Sequence, residues 1–273
     1  MTDHYAVMGN PIAHSKSPRI HAAFASQTEQ DIDYDRILVE PGQLAVAVTQ
    51  FREQSGCGLN ITVPFKNDAF DIADTLTDRA QSAGAVNTLV LNEDGTIHAD
   101  NTDGVGLVRD LTNNHGFMLE GTRILVLGAG GAVQGVLLPL LQENPAEVVI
   151  ANRTVAKADA LCEKLADTGN ITSSSFEALA GQQFDGIING TAASLQGEVP
   201  PLPDDVLKPG GWCYDMMYGS EPTAFVKWGI NHGAGDSVDG LGMLVEQAAE
   251  SFSLWRNVYP DTAPVIKMLR GEG

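Results

Sequence analysis

The sequence predicts an α/β protein of two domains, and three observations carry that prediction. The first is the stretch from Arg123 to Leu141, RILVLGAGGAVQGVLLPLL. Here an aliphatic run at 124–127 feeds into glycines at 128, 130 and 131, and then into an apolar segment long enough for a helix. The second is another aliphatic strand at 147–151 (EVVIA), as a βαβ unit requires. The third is a run of strand, helix, strand, helix and strand ahead of the glycine turn, which makes an α/β domain of its own.

From the N-terminus, residues 4–9 (HYAVMG) read as the first strand. The loop that follows, NPIAHSKSP, is dense in hydroxyls, and Pro18 is placed to open a helix running to about Gln27. One of Ser15 and Ser17 is expected to cap that helix, but capping does not account for both. His14 stands beside Ser15 with no nucleophile elbow and no third partner, so hydrolysis is not read here.

Residues 33–39 alternate like a strand, 42–54 like a helix and 57–63 like another strand, which ends in LNITVPFK. The alternation puts Asn60 and Thr62 on one face. Lys66 starts the next helix just past the carboxyl end of the strand, where ligands of open α/β sheets bind. A lysine at a helix start is more often simply solvated; the amide and hydroxyl leading up to it favour a site. Residues 85–90 (AVNTLV) form a short strand carrying the amide of Asn87, and the turn DNTDG leads into a helix over about 105–115. On local sequence alone Asp103 is a helix N-cap. The domain boundary falls here.

The glycine turn of the second domain is suited to a pyrophosphate: glycine lets the backbone approach phosphate oxygens, and the helix N-terminus supplies N–H groups and the positive end of a dipole. Val133 stands where the fingerprint usually has Gly or Ala, so the first turn of this helix is expected to sit farther from the strand. Arg153 lies about 25 residues beyond Gly128, near the place, roughly 20 residues on, where an NAD-specific fold puts an acid for the ribose 2′-hydroxyl. No acid is present; Arg153, with Lys157 one helical turn on, favours a 2′-phosphate, and the predicted cofactor is NADP(H).

Beyond Arg153 a helix runs to about Asp167, a short strand lies near Ile171, and an apolar strand at 184–188 ends in Asn189-Gly190-Thr191. The segment 200–209 reads as a proline-rich connector, and a further strand at 212–216 ends in DMMY. Thr191 and Met216, at strand ends, are candidates to pack on a nicotinamide, against core filling for the methionine. DGLGMLVEQ then enters a helix to about Val258, and a last helix spans about 262–269.

Composition narrows the partners. The formal net charge is −19, which argues against nucleic acid and acidic membrane surfaces. With 16 Lys and Arg against 35 acids, cations beside glycine turns or amide-rich motifs stand out as ligand-binding candidates. No stretch is apolar enough to span a bilayer and no secretory signal is visible at the N-terminus, so a cytoplasmic protein is expected. Cys57, Cys162 and Cys213 lack metal-like spacing; neither a disulfide nor a metal site is expected.

The motifs GNPIAHSKSP, LNITVPFK, AVNTLV, NTDG, LGAGGA, NRT, YDMMY and DGLGMLVEQAA, in this order over nearly the whole chain, resemble those of the shikimate dehydrogenases. The resemblance implies NADPH-dependent reduction of 3-dehydroshikimate to shikimate, a step of chorismate and aromatic amino-acid biosynthesis. It assigns Lys66 and Asp103 as the catalytic pair, and it gives Ser15, Ser17, Asn60, Thr62, Asn87, Tyr218 and Gln247 to the substrate. To the cofactor it gives Gly128, Ala129, Gly130, Gly131 and Ala132 together with Asn152, Arg153, Thr154 and Lys157, and it sets Met216 and Gly240 near the nicotinamide. It further implies a substrate domain over 1–104 completed by helices over 240–273, a Rossmann-type NADP-binding domain over 105–239, and an active-site cleft between them. Ala192 and Ala193 depart from the family where a serine is more usual.

Three other readings compete. A quinate/shikimate dehydrogenase using NAD is opposed by Arg153. A non-catalytic sensor of shikimate-like ligands is opposed by retention of Lys66 and Asp103. A methylenetetrahydrofolate dehydrogenase-like enzyme leaves the serine pair and the NTDG turn unexplained. Oligomeric state is left open between monomer and homodimer.

Overall fold

The computed structural model describes residues 2–271, and the chain divides into two compact units. The first comprises Met1–Gly106 and Val245–Met268, the second Leu107–Leu244 and Leu269–Gly273.

In the first unit, β1 (Asp3–Gly9), β2 (Ile32–Leu38), β3 (Gly56–Ile61), β4 (Thr75–Leu76), β5 (Thr88–Leu91) and β6 (Ile97–Asp100) form one sheet in the order β2-β1-β3-β5-β6-β4. β1 pairs in parallel with β2 and β3, whereas β5 runs antiparallel to both β3 and β6. The helices are α1 (Ser17–Thr28), α2 (Leu44–Glu53), α3 (Lys66–Asp71), α4 (Asp78–Ala83), the start of α5 (Asp103–Arg109) and most of α9 (Leu241–Arg256) and α10 (Ala263–Arg270). Period-two alternation explains how the sheet is buried: Ala6 and Met8 of β1 join a core with Leu59, Ile61 and Leu89, while Tyr5 and Val7 face Tyr34 and Trp255. Two links tie α9 to this sheet. The Trp255 indole N–H donates to the Leu89 carbonyl at 3.0 Å, and Arg79 bridges Asp100 and Glu250 at 2.5 and 2.7 Å.

The second unit holds a parallel sheet of β7 (Arg123–Leu127), β8 (Glu147–Ala151), β9 (Ile171–Ser174), β10 (Phe184–Asn189), β11 (Leu207–Asp215) and β12 (Asp236–Asp239), in the order β12-β11-β10-β7-β8-β9. The order reverses between β7 and β10, the switch point at which a doubly wound sheet opens its ligand crevice. α6 (Gly131–Gln142), α7 (Val155–Leu165) and α8 (Ala224–Asn231) accompany it. Ile124, Val126, Val148 and Ile150 enter one core and Leu125, Leu127, Val149 and Ala151 another, which is why β7 and β8 are continuously aliphatic.

Local differences from the sequence reading have physical causes. The Lys16 backbone caps α1 without a side-chain bond, and Ser15 Oγ instead accepts the Ser17 N–H at 3.3 Å. Residues 85–87 lie ahead of β5, their backbone engaged elsewhere: Val86 N–H donates to Lys66 O and Asn87 N–H to Asp100 O. β11 begins at Leu207, inside the proline-rich connector, with a shift of register where Gly210 and Gly211 interrupt it. Among the described residues no helix is long and apolar enough to cross a membrane.

Candidate active site

In the first unit, β3 delivers a lysine and α5 a carboxylate to one point. Phe65, almost fully buried, anchors the chain just ahead of α3, so that Lys66 opens that helix with its ammonium half-buried. Its Nζ lies 2.5 Å from Oδ2 of Asp103, the residue that opens α5. Asp103 does not serve as its own cap: its N–H donates to Asn101 Oδ1 at 3.1 Å, and the carboxylate is left to face Lys66. The second oxygen, Oδ1, accepts from Asn87 Nδ2 at 2.8 Å. The Asn87 amide is held the right way round by Thr102, whose backbone N–H donates to Asn87 Oδ1 at 2.9 Å. Gln247 Oε1 approaches the same group, 3.4 Å from both Asn87 Nδ2 and Thr102 Oγ1. An ammonium and a carboxylate so held form a charge-assisted pair whose N–H is positioned for proton transfer to a neighbouring oxygen.

Ser15 and Ser17 are brought together, their hydroxyl oxygens 3.2 Å apart. Arg36 Nε and Nη2 both donate to the Ser15 carbonyl, at 2.9 and 2.5 Å, which fixes the loop. Thr62 is half-buried beyond the end of β3. Asn60 is spoken for internally: its Oδ1 accepts from the Tyr34 hydroxyl at 2.6 Å, and its Nδ2 donates to Ser251 at 3.0 Å and the Asn87 carbonyl at 3.2 Å. Tyr34, Thr102 and Ser251 escaped the sequence reading because an isolated hydroxyl carries no local pattern. Only their approach across the sheet gives them a role.

In the second unit, the glycine turn leaves β7 with Gly128 at φ 102°, a conformation that disfavours any side chain. Ala129 is buried, whereas Gly130, Gly131 and Ala132 are exposed, and a methyl built on either glycine would meet nothing within 4 Å. These glycines therefore answer no packing demand. They leave open backbone at the N-terminus of α6, where Gly130 offers no side-chain cap, and the donor set fits a dinucleotide pyrophosphate. Val133 is accommodated from the other side: a Cβ on Gly190 would lie 2.4 Å from Val133 Cγ2, so the glycine after β10 makes room for the valine.

Arg153, Thr154 and Lys157 are exposed at the end of β8 and the start of α7, and Asn152 Nδ2 braces this turn by donating to Thr154 O at 2.8 Å. They fit a charged group beyond the strand end. At the ends of β10 and β11, Thr191 donates to Asn189 Oδ1 at 2.7 Å, and Asn189 donates to Asp215 Oδ1 at 3.0 Å. Asp215 also accepts from Ser194, Thr223 and the Met217 N–H. Burial pushes its carboxyl up, against the pull of these donors. Asn189 and Asp215 thus brace the loops carrying Thr191 and Met216, a role their position at strand ends signalled but no motif named. The Gly240 backbone packs on Met216, where a Cβ would come within 2.5 Å of its carbonyl oxygen. Tyr218 is exposed in the following loop.

Family models match along most of the chain: a shikimate dehydrogenase substrate binding domain over residues 7–89, a shikimate/quinate 5-dehydrogenase domain over 110–196, and a shikimate 5′-dehydrogenase C-terminal domain over 240–270. The shikimate dehydrogenase (NADP(+)) of Alkalilimnicola ehrlichii is 61% identical over 272 residues, with all of both chains covered. An Ael1 enzyme from Pseudomonas putida is 48% identical, with 98% of each chain covered and a TM-score of 0.93. The shikimate 5-dehydrogenase of Thermus thermophilus, solved in complex with NADP(H) and shikimate, is 29% identical, with 99% of each chain covered and a TM-score of 0.88.

Proposed function

The chain belongs to the shikimate dehydrogenase family, and on that premise we propose that it catalyses the reversible NADPH-dependent reduction of 3-dehydroshikimate to shikimate, with Lys66 and Asp103 as its catalytic pair. The observation that carries the reading is the 2.5 Å contact of Lys66 Nζ with an Asp103 carboxylate whose other oxygen is held by Asn87.

NADPH, when bound, supplies the hydride for the ketone carbon. As that carbon is reduced, the carbonyl electron pair collects on oxygen, where the Lys66 ammonium stabilises the growing charge and gives up a proton. Asp103 orients the ammonium through the contact of Lys66 Nζ with its Oδ2. In the oxidative direction the same pair accepts the hydroxyl proton.

A cyclic polyol carboxylate calls for several polar partners. Ser15, Ser17, Thr62, Asn87, Gln247 and Tyr218 provide hydroxyl and amide groups of the right kind, and Asn60, also assigned to the substrate, bonds to Tyr34 and Ser251. A site with such a set rejects an analogue lacking a hydroxyl because its own groups are then left unpaired. The open glycine turn, with Asn152, Arg153, Thr154 and Lys157 beyond β8, supports NADP rather than NAD. Thr191, Met216 and Gly240 are assigned to the nicotinamide end.

We also infer a cytoplasmic location, supported by three free thiols, and no nucleic-acid partner for a chain of net charge −19. A homodimer is set against a monomer, and sedimentation equilibrium decides between them. The activity is tested by following absorbance of the reduced nicotinamide with shikimate or quinate and NADP⁺ or NAD⁺. Turnover confined to shikimate with NADP⁺ is the expected result. Equal rates with quinate and NAD⁺ would make the enzyme a quinate/shikimate dehydrogenase, and shikimate binding without turnover would make it a sensor.

A further inference from the structure

The Thr88 hydroxyl is fully buried and has no place in the chemistry above. It sits on β5 directly opposite Asn60 of β3. Around its oxygen lie Ser251 Oγ at 2.8 Å, Asn87 Oδ1 at 2.9 Å and Asn60 Nδ2 at 3.3 Å.

The available protons can be followed through this group. The Thr102 backbone N–H can only donate, so its 2.9 Å bond fixes which end of the Asn87 amide is oxygen. Asn87 Nδ2 is thereby directed at Asp103 Oδ1. Of the two hydroxyls that reach the remaining acceptor capacity of Asn87 Oδ1, Thr88 at 2.9 Å is nearer than Thr102 at 3.2 Å. Thr88 and Ser251 share a hydroxyl bond at 2.8 Å, the Ser251 proton having the Gln247 carbonyl at 3.1 Å as a second acceptor, and Ser251 accepts from Asn60 Nδ2 at 3.0 Å. The Asn60 oxygen in turn accepts from the Tyr34 hydroxyl at 2.6 Å. These contacts form a continuous chain from Tyr34 through Asn60, Ser251, Thr88 and Asn87 to the carboxylate that holds Lys66. Such a buried chain polarises its members and restrains the Asn87 amide, whose two ends are held by Thr102 N–H and Asp103.

We propose that Thr88 is a positioning residue of the reductase reaction, acting through Asn87: its hydroxyl links Ser251 of the closing helix to the amide that orients Asp103. The inference rests on Lys66 and Asp103 being the catalytic pair.

Thr88→Val keeps shape and β-branching and removes only the hydroxyl. It removes the nearer of the two hydroxyl donors to Asn87 Oδ1, 2.9 Å against 3.2 Å for Thr102, and it is expected to lower kcat about tenfold, the scale of one buried hydrogen bond, with KM for NADP⁺ unchanged. Thr88→Ser restores kcat to within about twofold of wild type. A double-mutant cycle separates positioning from general damage: in an Asn87→Ala background, Thr88→Val costs less than about twofold more. Should Thr88→Val fail to fold, Ser251→Ala takes its place in the same cycle under the same criterion. A Thr88→Val enzyme with kcat within about twofold of wild type overturns the proposal, as does a tenfold loss that persists undiminished without Asn87. A wild-type protein that does not reduce NADP⁺ with shikimate overturns the activity itself and this inference with it. Wild-type turnover beside an unaffected Thr88→Val overturns the inference alone.

Discussion

Replacing Arg153 by alanine tests the cofactor assignment at its most specific point. The guanidinium stands just beyond β8, exposed, with Lys157 exposed one turn into α7 and Asn152 bracing the turn between them. A charge-assisted bond to a phosphate contributes about 1.5–3 kcal/mol where water is excluded. Here solvent screens the charge and Lys157 remains, so the lower end applies, and KM for NADP⁺ should rise roughly tenfold. If Arg153 serves the 2′-phosphate alone, as proposed, kcat at saturating NADP⁺ should stay within about twofold of wild type. The assay is initial-rate kinetics at saturating shikimate, varying NADP⁺ and then NAD⁺. NAD⁺ lacks the phosphate, and its KM should hardly move. Adding Lys157→Ala should deepen the NADP⁺ defect, and raising the salt concentration should shrink it. An NADP⁺ KM within about twofold of wild type, or an equal rise for NAD⁺, would refute the reasoning.

Three further outcomes follow from packing and charge. Arg79→Met leaves the Asp100 carboxylate buried and unpaired, and should destabilise the fold by about 3–5 kcal/mol at neutral pH, read by urea denaturation. Burial alone would raise the Asp100 carboxyl, but Arg79 holds it below its ordinary 3.8, so its contribution is full above that value and is lost as the pH falls through the lower folded-state value; the gap between variant and wild type should close there. Gly190→Ala drives a methyl to within 2.4 Å of Val133 and should cost about 1–3 kcal/mol in the same assay, with Val133→Ala restoring much of the loss. With a net charge of −19, the wild-type melting temperature should climb by about 2–4 °C between low and physiological salt, the shift given by ~1 kcal/mol; a flat profile would show that self-repulsion is not significant.

How much of this was legible in the sequence depended on whether the signal was local. β7, the glycine turn, α6 and β8 were all readable, because a sheet buried on both faces demands continuous aliphatic runs. β4 has two residues and β12 is a short, acid-flanked edge strand, and neither offers enough alternation to be seen. β6 was hidden by its last residue: Asp100 looks like part of a polar turn, yet it is buried against Arg79 from a different segment. α4 and α8 are short, and each starts at a threonine cap, Thr77 and Thr223, that no motif marked. Within the candidate site, Lys66 and Arg153 were marked by their positions after strands. Asp103 reads as an ordinary cap on local sequence, and only the family resemblance paired it with Lys66, 37 residues away. Asn60 shared a strand face with Thr62, but only the cross-sheet contacts with Tyr34 and Ser251 reveal that its amide is committed inward.

The most direct test of the account is the turnover of Lys66→Ala, measured in both directions with shikimate and NADP⁺ and with 3-dehydroshikimate and NADPH. Removing the ammonium takes away the proposed proton donor and the partner of Asp103 while leaving the serine pair and the glycine turn intact. The account predicts a fall in kcat of about 10²–10⁴-fold, the usual share of a positioned general acid, with KM for NADP⁺ little changed. A Lys66→Ala enzyme that turns over at near the wild-type rate would contradict it.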